Sequence, residues 1–135
     1  MIFMSRRELR EQIFKLLFRV EFNSEEEMNT QCELFFDDVD THFEEEDMKY
    51  IQNKYNLIHE KIEEIDKLID EKAKGWSSDR MGKVELTIIR LGVFEILFDE
   101  DVPASVAINE AVELAKKFGQ DKSNGFVNAV LAKFV

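Results

Sequence analysis

A chain of 135 residues fits one domain with a real hydrophobic core and leaves no room for a second catalytic module. Apolar residues at 44% and charged residues at 35%, with five glycines and one proline, suit helices that carry a buried stripe and a solvated face, not a disordered chain. The formal net charge of -11 excludes a generally adhesive nucleic-acid binder, because phosphate affinity comes from counterions released at basic sites.

Charge is unevenly spread. Arg6, Arg7, Arg10, Lys15 and Arg19 crowd the first segment, whereas the eleven acidic residues between Ser24 and Lys49 meet only Lys49. The single cysteine, Cys32, cannot close an internal disulfide, and neither a secretory signal nor a membrane-length apolar run is found. The expectation is a soluble protein of the reducing cytoplasm, with no membrane contact.

In residues 6–22, RRELREQIFKLLFRVEF, Leu9, Ile13, Leu16, Leu17 and Val20 share one stripe. This predicts a helix with Ser5 as N-cap and Glu8 completing a capping box. Phe14 and Phe18 fall off the stripe, on the side of Arg7 and Arg10, free to pack on another helix or to meet a partner. A second helix is predicted from Ser24, with Glu27 as its reciprocal cap and Met28, Cys32, Phe35 and Val39 on one side. Thr41 and Glu44 repeat the capping signature. Met48, Ile51, Tyr55, Ile58, Ile62, Ile65 and Leu68 then recur at three- and four-residue steps. That run fits one long coiled-coil-like helix, or two helices broken near Asn53 to Asn56.

Gly75, Ser77, Ser78 and Asp79 interrupt the pattern, and Trp76 is expected to pin this loop to the core. The following MGKVELTIIRLGVFEILFDE is apolar on nearly every side from Leu86 to Phe98, which marks the most buried helix. After DEDVP, Pro103 precedes a helix with Ile108, Ala111, Ala115 and Phe118 on its stripe, closed by Gly119 as a C′ glycine. The last helix starts at about Ser123 or Asn124 and buries members of the set Phe126, Val127, Val130, Leu131 and Phe134. No segment has strand period. The expected fold is all-α, a compact single-domain bundle of about six or seven helices.

Catalytic and metal chemistry find little footing. His42 beside Glu44, Glu45 and Glu46, and His59 one turn from Glu63, lack the paired Glu-x-x-His pattern of a di-iron bundle, and Cys32 has no second cysteine for zinc. Glycine-rich phosphate loops are absent, and the carboxylates read as solvated helix faces. No enzyme activity, metal or cofactor is expected.

Two segments invite a binding function. The basic first helix reads either as a solvated face or as a surface where arginines meet phosphates beside aromatic rings. The stretch KKFGQDKSNGFVN, residues 116–128, reads in one way as a plain helical hairpin in which Asp121 or Ser123 caps the last helix and Phe118 and Phe126 are core. In the other it is a binding loop. The positive end of the last helix, with Lys116, Lys117 and Lys122, suits an anion, while Gln120, Asp121, Ser123 and Asn124 offer donors and acceptors to base edges.

The stretch VAINEAVELAKKFG followed by FVNAVL closely resembles the C-terminal signature of the NusB transcription antitermination family. The resemblance runs upstream through DVPASVAINEA and VELTIIRLGVFEIL to RRELREQIFKLLF, similar to that family's arginine-rich first helix, so it covers essentially the whole chain. It implies an all-helical RNA-binding factor that joins ribosomal protein NusE on single-stranded boxA RNA. With NusE it helps the RNA polymerase antitermination complex resist termination, notably on ribosomal RNA operons.

By position, Arg6, Arg7 and Arg10 match the family's arginine-rich RNA contact region, and Phe118, Gln120, Asp121, Lys122, Ser123 and Phe126 its C-terminal part. Phe18 matches an aromatic position, and Glu85 an acidic one, associated with the NusE interface. Glu8 within the arginine cluster and the loop wording QDKSN depart from the family pattern, and imply weak binding of RNA alone that NusE strengthens. Other readings remain open. The NusB-like domain of some RNA cytosine methyltransferases is similar, but this chain has no room for the methyltransferase part. A helical protein-interaction adaptor would leave the basic helix merely solvated, and a homodimer through Phe14 and Phe18 would hide the RNA face.

Overall fold

The structure is a computed structural model describing residues 3–135, the side chain of Arg80 excepted. Seven α-helices and three short 3₁₀ segments account for its regular structure, and no strand occurs among the described residues, as the periodicity predicts. The chain divides into two compact units, Met1–His59 and Glu60–Val135.

In the first unit, α1 spans Arg6–Phe18 and starts where the Ser5 hydroxyl accepts the Glu8 N–H at 3.1 Å. Leu9, Ile13, Leu16 and Leu17 are buried, as the stripe requires. Phe14 is buried with them at 3% exposure, so the expectation that it stands off the core is corrected. The helix also ends earlier than predicted. At Arg19 the chain tightens into a 3₁₀ turn, Arg19–Phe22, whose last residues are held by Asn23 Nδ2 donating to Arg19 O at 2.8 Å.

Helix α2, Glu25–Phe36, opens with a complete capping box: Ser24 N–H donates to Glu27 Oε1 at 2.8 Å, and Glu27 N–H to Ser24 Oγ at 3.2 Å. Met28, Cys32 and Phe35 are buried as predicted, but the helix stops at Phe36 and leaves Val39 95% exposed. Arg19 holds α2 in place, its Nη1 donating to Gln31 Oε1 at 3.1 Å and its guanidinium lying 5.2 Å from the Phe35 ring. Thr41 caps nothing; its hydroxyl donates to Asp38 at 3.1 Å.

Helix α3, Glu45–Glu60, carries Asp47, 1% exposed, whose two carboxylate oxygens accept the Phe3 and Met4 N–H groups at 3.0 and 3.2 Å. The apolar run does break into two helices, but at Lys61 (φ -105, ψ 5) and not at Asn53 to Asn56. Asparagine on an exposed helix face costs only about 0.7 kcal/mol against alanine. Here Asn56 also accepts from Gln52 one turn earlier at 2.9 Å, so the helix continues through it.

The second unit begins with α4, Ile62–Lys72, buried at Ile65 and Ile69. Gly75, at φ +87, turns the chain in the left-handed region that favours glycine. Helix α5, Lys83–Phe98, is buried without interruption from Leu86 to Glu95 and packs against α4, α6 (Ala104–Phe118) and α7 (Ser123–Leu131). It is the most buried helix, as read from sequence. A charged pair lies against it: Arg90 donates from Nε and Nη2 to the two oxygens of Asp66 at 2.9 and 2.8 Å. The face of α6 that is buried is Ala107, Ala111, Leu114 and Ala115, three of them alanines whose small side chains let it lie close to α5 and α7, while Ile108 and Phe118 are only half-buried. Val127, Val130, Leu131 and Phe134 complete the core from the C-terminal side.

Candidate nucleic-acid interface

The turn between α6 and α7 is built by two residues, Gly119 and Ser123. Gly119 is extended (φ -94, ψ -170), not left-handed, so the reason for glycine is space. A Cβ there would lie 2.6 Å from Ser123 Cβ and 2.7 Å from Ala115 O. Ser123 is 6% exposed and forms a reciprocal pair with Gln120: Gln120 N–H donates to Ser123 Oγ, and Ser123 N–H donates to Gln120 O, both at 2.9 Å. Neither Asp121 nor Ser123 is therefore the N-cap of α7. Lys122 holds that position with no side-chain cap bond, and the serine hydroxyl looks back into the loop. Locked in this way, the turn leaves Gln120, Asp121 and Lys122 exposed.

These three residues, with Ser123 and Phe126, form one wall of a cleft of about 730 Å³ whose other wall is Trp76, Met81, Gly82 and Glu85. Trp76 is 57% exposed and meets Phe126 edge-on, ring centroids 5.2 Å apart at 62°. It does not pin its loop to the core, contrary to expectation. That loop is anchored by polar bonds instead, Ser78 N–H to Asp70 Oδ1 at 2.7 Å and Trp76 N–H to Ala73 O at 2.9 Å. Phe126 is half-buried with a face in the cleft, and Phe118 is half-buried outside it, with Lys117 Nζ 5.5 Å from its ring. Lys116 and Lys117 are exposed, the former 3.4 Å from Glu113.

This arrangement does not resemble a phosphate cradle. Glu85 and Asp121 contribute carboxylates and Lys122 one cation, beside two ring systems and the Gln120 amide. Such a cleft fits an unstacked base, its face against an aromatic ring and its amino edge toward carboxylate or amide oxygens, with phosphates left to the exposed lysines outside. Trp76, Met81 and Gly82 are members that sequence reasoning did not place here, and Glu85 was assigned to the NusE interface. The signal for Trp76 was its position in a polar loop, where a large ring has few core neighbours to choose from.

On α1, Arg6 and Arg7 are exposed and suited to phosphate contact, whereas Arg10 is 8% exposed and interior. Phe18 is half-buried, stacked on Phe14 at 6.0 Å and edge-on to Phe22 at 5.1 Å. The ring that reaches solvent is Phe22, 59% exposed. Burial of Phe14 removes it from the partner-facing set. Elsewhere, burial pushes the Cys32 thiol above its ordinary range and keeps it protonated. Among the described residues no group of three or more His, Cys, Asp or Glu is placed to hold a metal ion, and no helix is long and apolar enough to cross a membrane.

The family model of the NusB family matches residues 7–135. The chain belongs to the NusB family. It is 53% identical over 131 residues to the transcription antitermination protein NusB of Agathobacter rectalis, covering 97% of this chain and 99% of that one. To the transcription antitermination protein NusB of Lachnoclostridium phytofermentans it is 47% identical over 132 residues, covering 98% and 99%. Among solved structures, T. maritima NusB superposes with a TM-score of 0.86 at 32% identity over 98% of this chain and 92% of that one. A chain in a crystal structure of antitermination factors NusB and NusE in complex with dsRNA superposes with a TM-score of 0.82 at 27% identity, over 96% and 94%. The resemblance read from the signatures around Gly119 and Arg6 is borne out, and transcription antitermination is the function that goes with NusB membership.

Proposed function

We propose that this chain acts as one RNA-binding domain that holds boxA RNA jointly with ribosomal protein NusE and helps RNA polymerase read through terminators, notably in ribosomal RNA operons. The observation that carries the reading is the cleft in which Phe126 and Trp76 stand beside Gln120, Asp121 and Lys122. The solved NusB–NusE pair with dsRNA supports a joint RNA surface. Aromatic faces beside hydrogen-bonding edges suit unpaired bases, and the carboxylates of Glu85 and Asp121 disfavour the phosphate wall of a duplex inside the cleft.

In this reading Arg6, Arg7, Lys116, Lys117 and Lys122 meet phosphates, Phe118 and Phe126 meet bases, and Gln120 and Asp121 read base edges. Ser123 shapes the turn. Arg10, being buried, supports α1 and does not touch RNA. Phe18 and Glu85 remain the residues assigned to NusE. The protein works in the cytoplasm without catalytic activity or a cofactor.

Titration of boxA and of a scrambled RNA, with and without NusE at fixed salt, tests the proposal. Binding of boxA by the chain alone is expected to be weak, and NusE is expected to tighten it more than it tightens the scrambled RNA. Equal affinity with and without NusE would overturn the joint mode.

A further inference from the structure

We propose that the first unit carries a second binding site: a groove between α2 and α3 that receives an arginine side chain presented by a basic segment of a partner protein. The groove encloses about 710 Å³ between one face of α2, including Glu25, Cys32 and Glu33, and one face of α3, including Gln52, Tyr55 and Asn56. It is independent of the RNA cleft and of the reading given to that cleft.

The Tyr55 hydroxyl is the first observation. Tyr55 is 4% exposed, and its oxygen is buried with no hydrogen-bond partner among the described residues. A phenol both donates and accepts, and a native interior rarely leaves such a group unsatisfied. Its neighbours are committed elsewhere. Gln52 Nε2 donates to Asn56 Oδ1 at 2.9 Å and to Cys32 Sγ at 3.7 Å, and the His59 ring lies stacked on Tyr55 with centroids 5.5 Å apart at 25°. Burial raises the phenol above its ordinary range, so the hydroxyl keeps its proton and the groove gains no anion from it.

Charge is the second observation. Glu25 and Glu33 line the groove, and among the described residues no lysine or arginine is part of that lining; Arg19, near enough to act on Cys32, donates to Gln31. Phosphate-bearing ligands are disfavoured there, and a cation is favoured. The neutral acceptors among the lining residues are the side-chain carbonyls of Gln52 and Asn29 and, buried behind the surface, the Tyr55 phenol, which a side chain must enter the groove to reach. A planar guanidinium, weakly hydrated and carrying five N–H groups, can donate to several of these while its charge faces the carboxylates. An ammonium group, compact and strongly hydrated, loses more on entering.

The test uses the full chain and NMR titration with a capped Gly-Ser-Arg-Ser-Gly peptide, and with the same peptide carrying neutral citrulline. Saturable shifts at Gln52, Tyr55 and Asn56 are expected with the arginine peptide, about tenfold weaker with citrulline. Tyr55→Phe keeps the ring and deletes only the orphan hydroxyl; it is expected to melt no lower than the parent and to bind about tenfold more weakly. Glu33→Gln, an exposed position, is expected to weaken binding and reduce its salt dependence. Equal binding by Tyr55→Phe, or no saturable shift at these residues, overturns the proposal. So does a water-to-hydroxyl cross-relaxation signal at Tyr55 that the peptide leaves unchanged, which assigns the groove to a buried water, or a stronger response of the same resonances to boxA RNA.

Discussion

Phe14 follows Ile13 by one position, about 100° around the helix, and by periodicity alone belongs outside the core. It is nevertheless 3% exposed, whereas Phe22, eight residues on, is 59% exposed. Helix α1 buries a wider arc than its apolar stripe, and Arg10 shares that arc at 8% exposure. Phe14→Ala is expected to lower stability by about 3–5 kcal/mol through the cavity it leaves, and Phe22→Ala by no more than about 0.5 kcal/mol. Urea unfolding followed by circular dichroism measures both, and equal midpoints for the two variants would contradict the assignment of Phe14 to the core. Helical periodicity showed that aromatic residues sit beside the arginines. Which ring is covered depends on neighbours far away in the chain, and periodicity carries no record of those.

Helix boundaries were legible wherever a side chain closes its own turn. Ser5 and Ser24 both accept the predicted N-cap bond, because it spans three residues and needs nothing from the rest of the fold; of the two predicted capping boxes, the one shown complete is Ser24 with Glu27. The pH dependence of α2 follows from one such bond. The bond from the Ser24 N–H is the chief cause that holds the Glu27 carboxyl below the ordinary glutamate range. A depressed folded-state pKa means that the stabilisation is complete above the unfolded value and is lost as pH falls through the folded one. Wild type and Glu27→Gln are therefore expected to differ in urea midpoint near neutral pH and to converge as acidification carries the pH through the lowered folded-state value; a difference independent of pH would remove the carboxylate from this role.

Gly119 illustrates the opposite case. It closes α6 as predicted, but its backbone is extended where a C′ glycine is ordinarily left-handed, and what requires glycine is the approach of Ser123 and Ala115 O. Gly119→Ala is expected to cost about 1–3 kcal/mol by forcing the turn apart, and to weaken RNA binding as the exposed triplet Gln120, Asp121 and Lys122 shifts. Thermal melting and boxA titration read the two effects separately. A variant of full stability would show that the turn relaxes without cost.

On the scale of the molecule, a net charge of -11 confines RNA contact to a few cations on an acidic protein. With Arg6, Arg7, Lys116, Lys117 and Lys122 as the phosphate-binding set, and about 0.7 counterion released per contact on a single strand, log affinity is expected to fall with log salt at a slope of about -3.5. Replacing Arg6 and Arg7 together by alanine is expected to reduce that slope by about 1.4 and leave the melting temperature nearly unchanged, since both side chains are exposed. An unchanged slope, measured by titration across a salt series, would detach α1 from the phosphate contacts.

The sequence by itself determined the all-helical class, the buried character of α5, the capped starts of α1 and α2, and membership in the NusB family. All of these are properties of short-range periodicity, capping chemistry or residue identity. Only the tertiary structure decided that Trp76 leaves the core to face Phe126, that Glu85 stands in the same cleft as residues 120–123, and that Phe14 and Arg10 are interior. Those outcomes depend on which helices lie beside one another, and burial is set by atoms that come from remote positions in the chain.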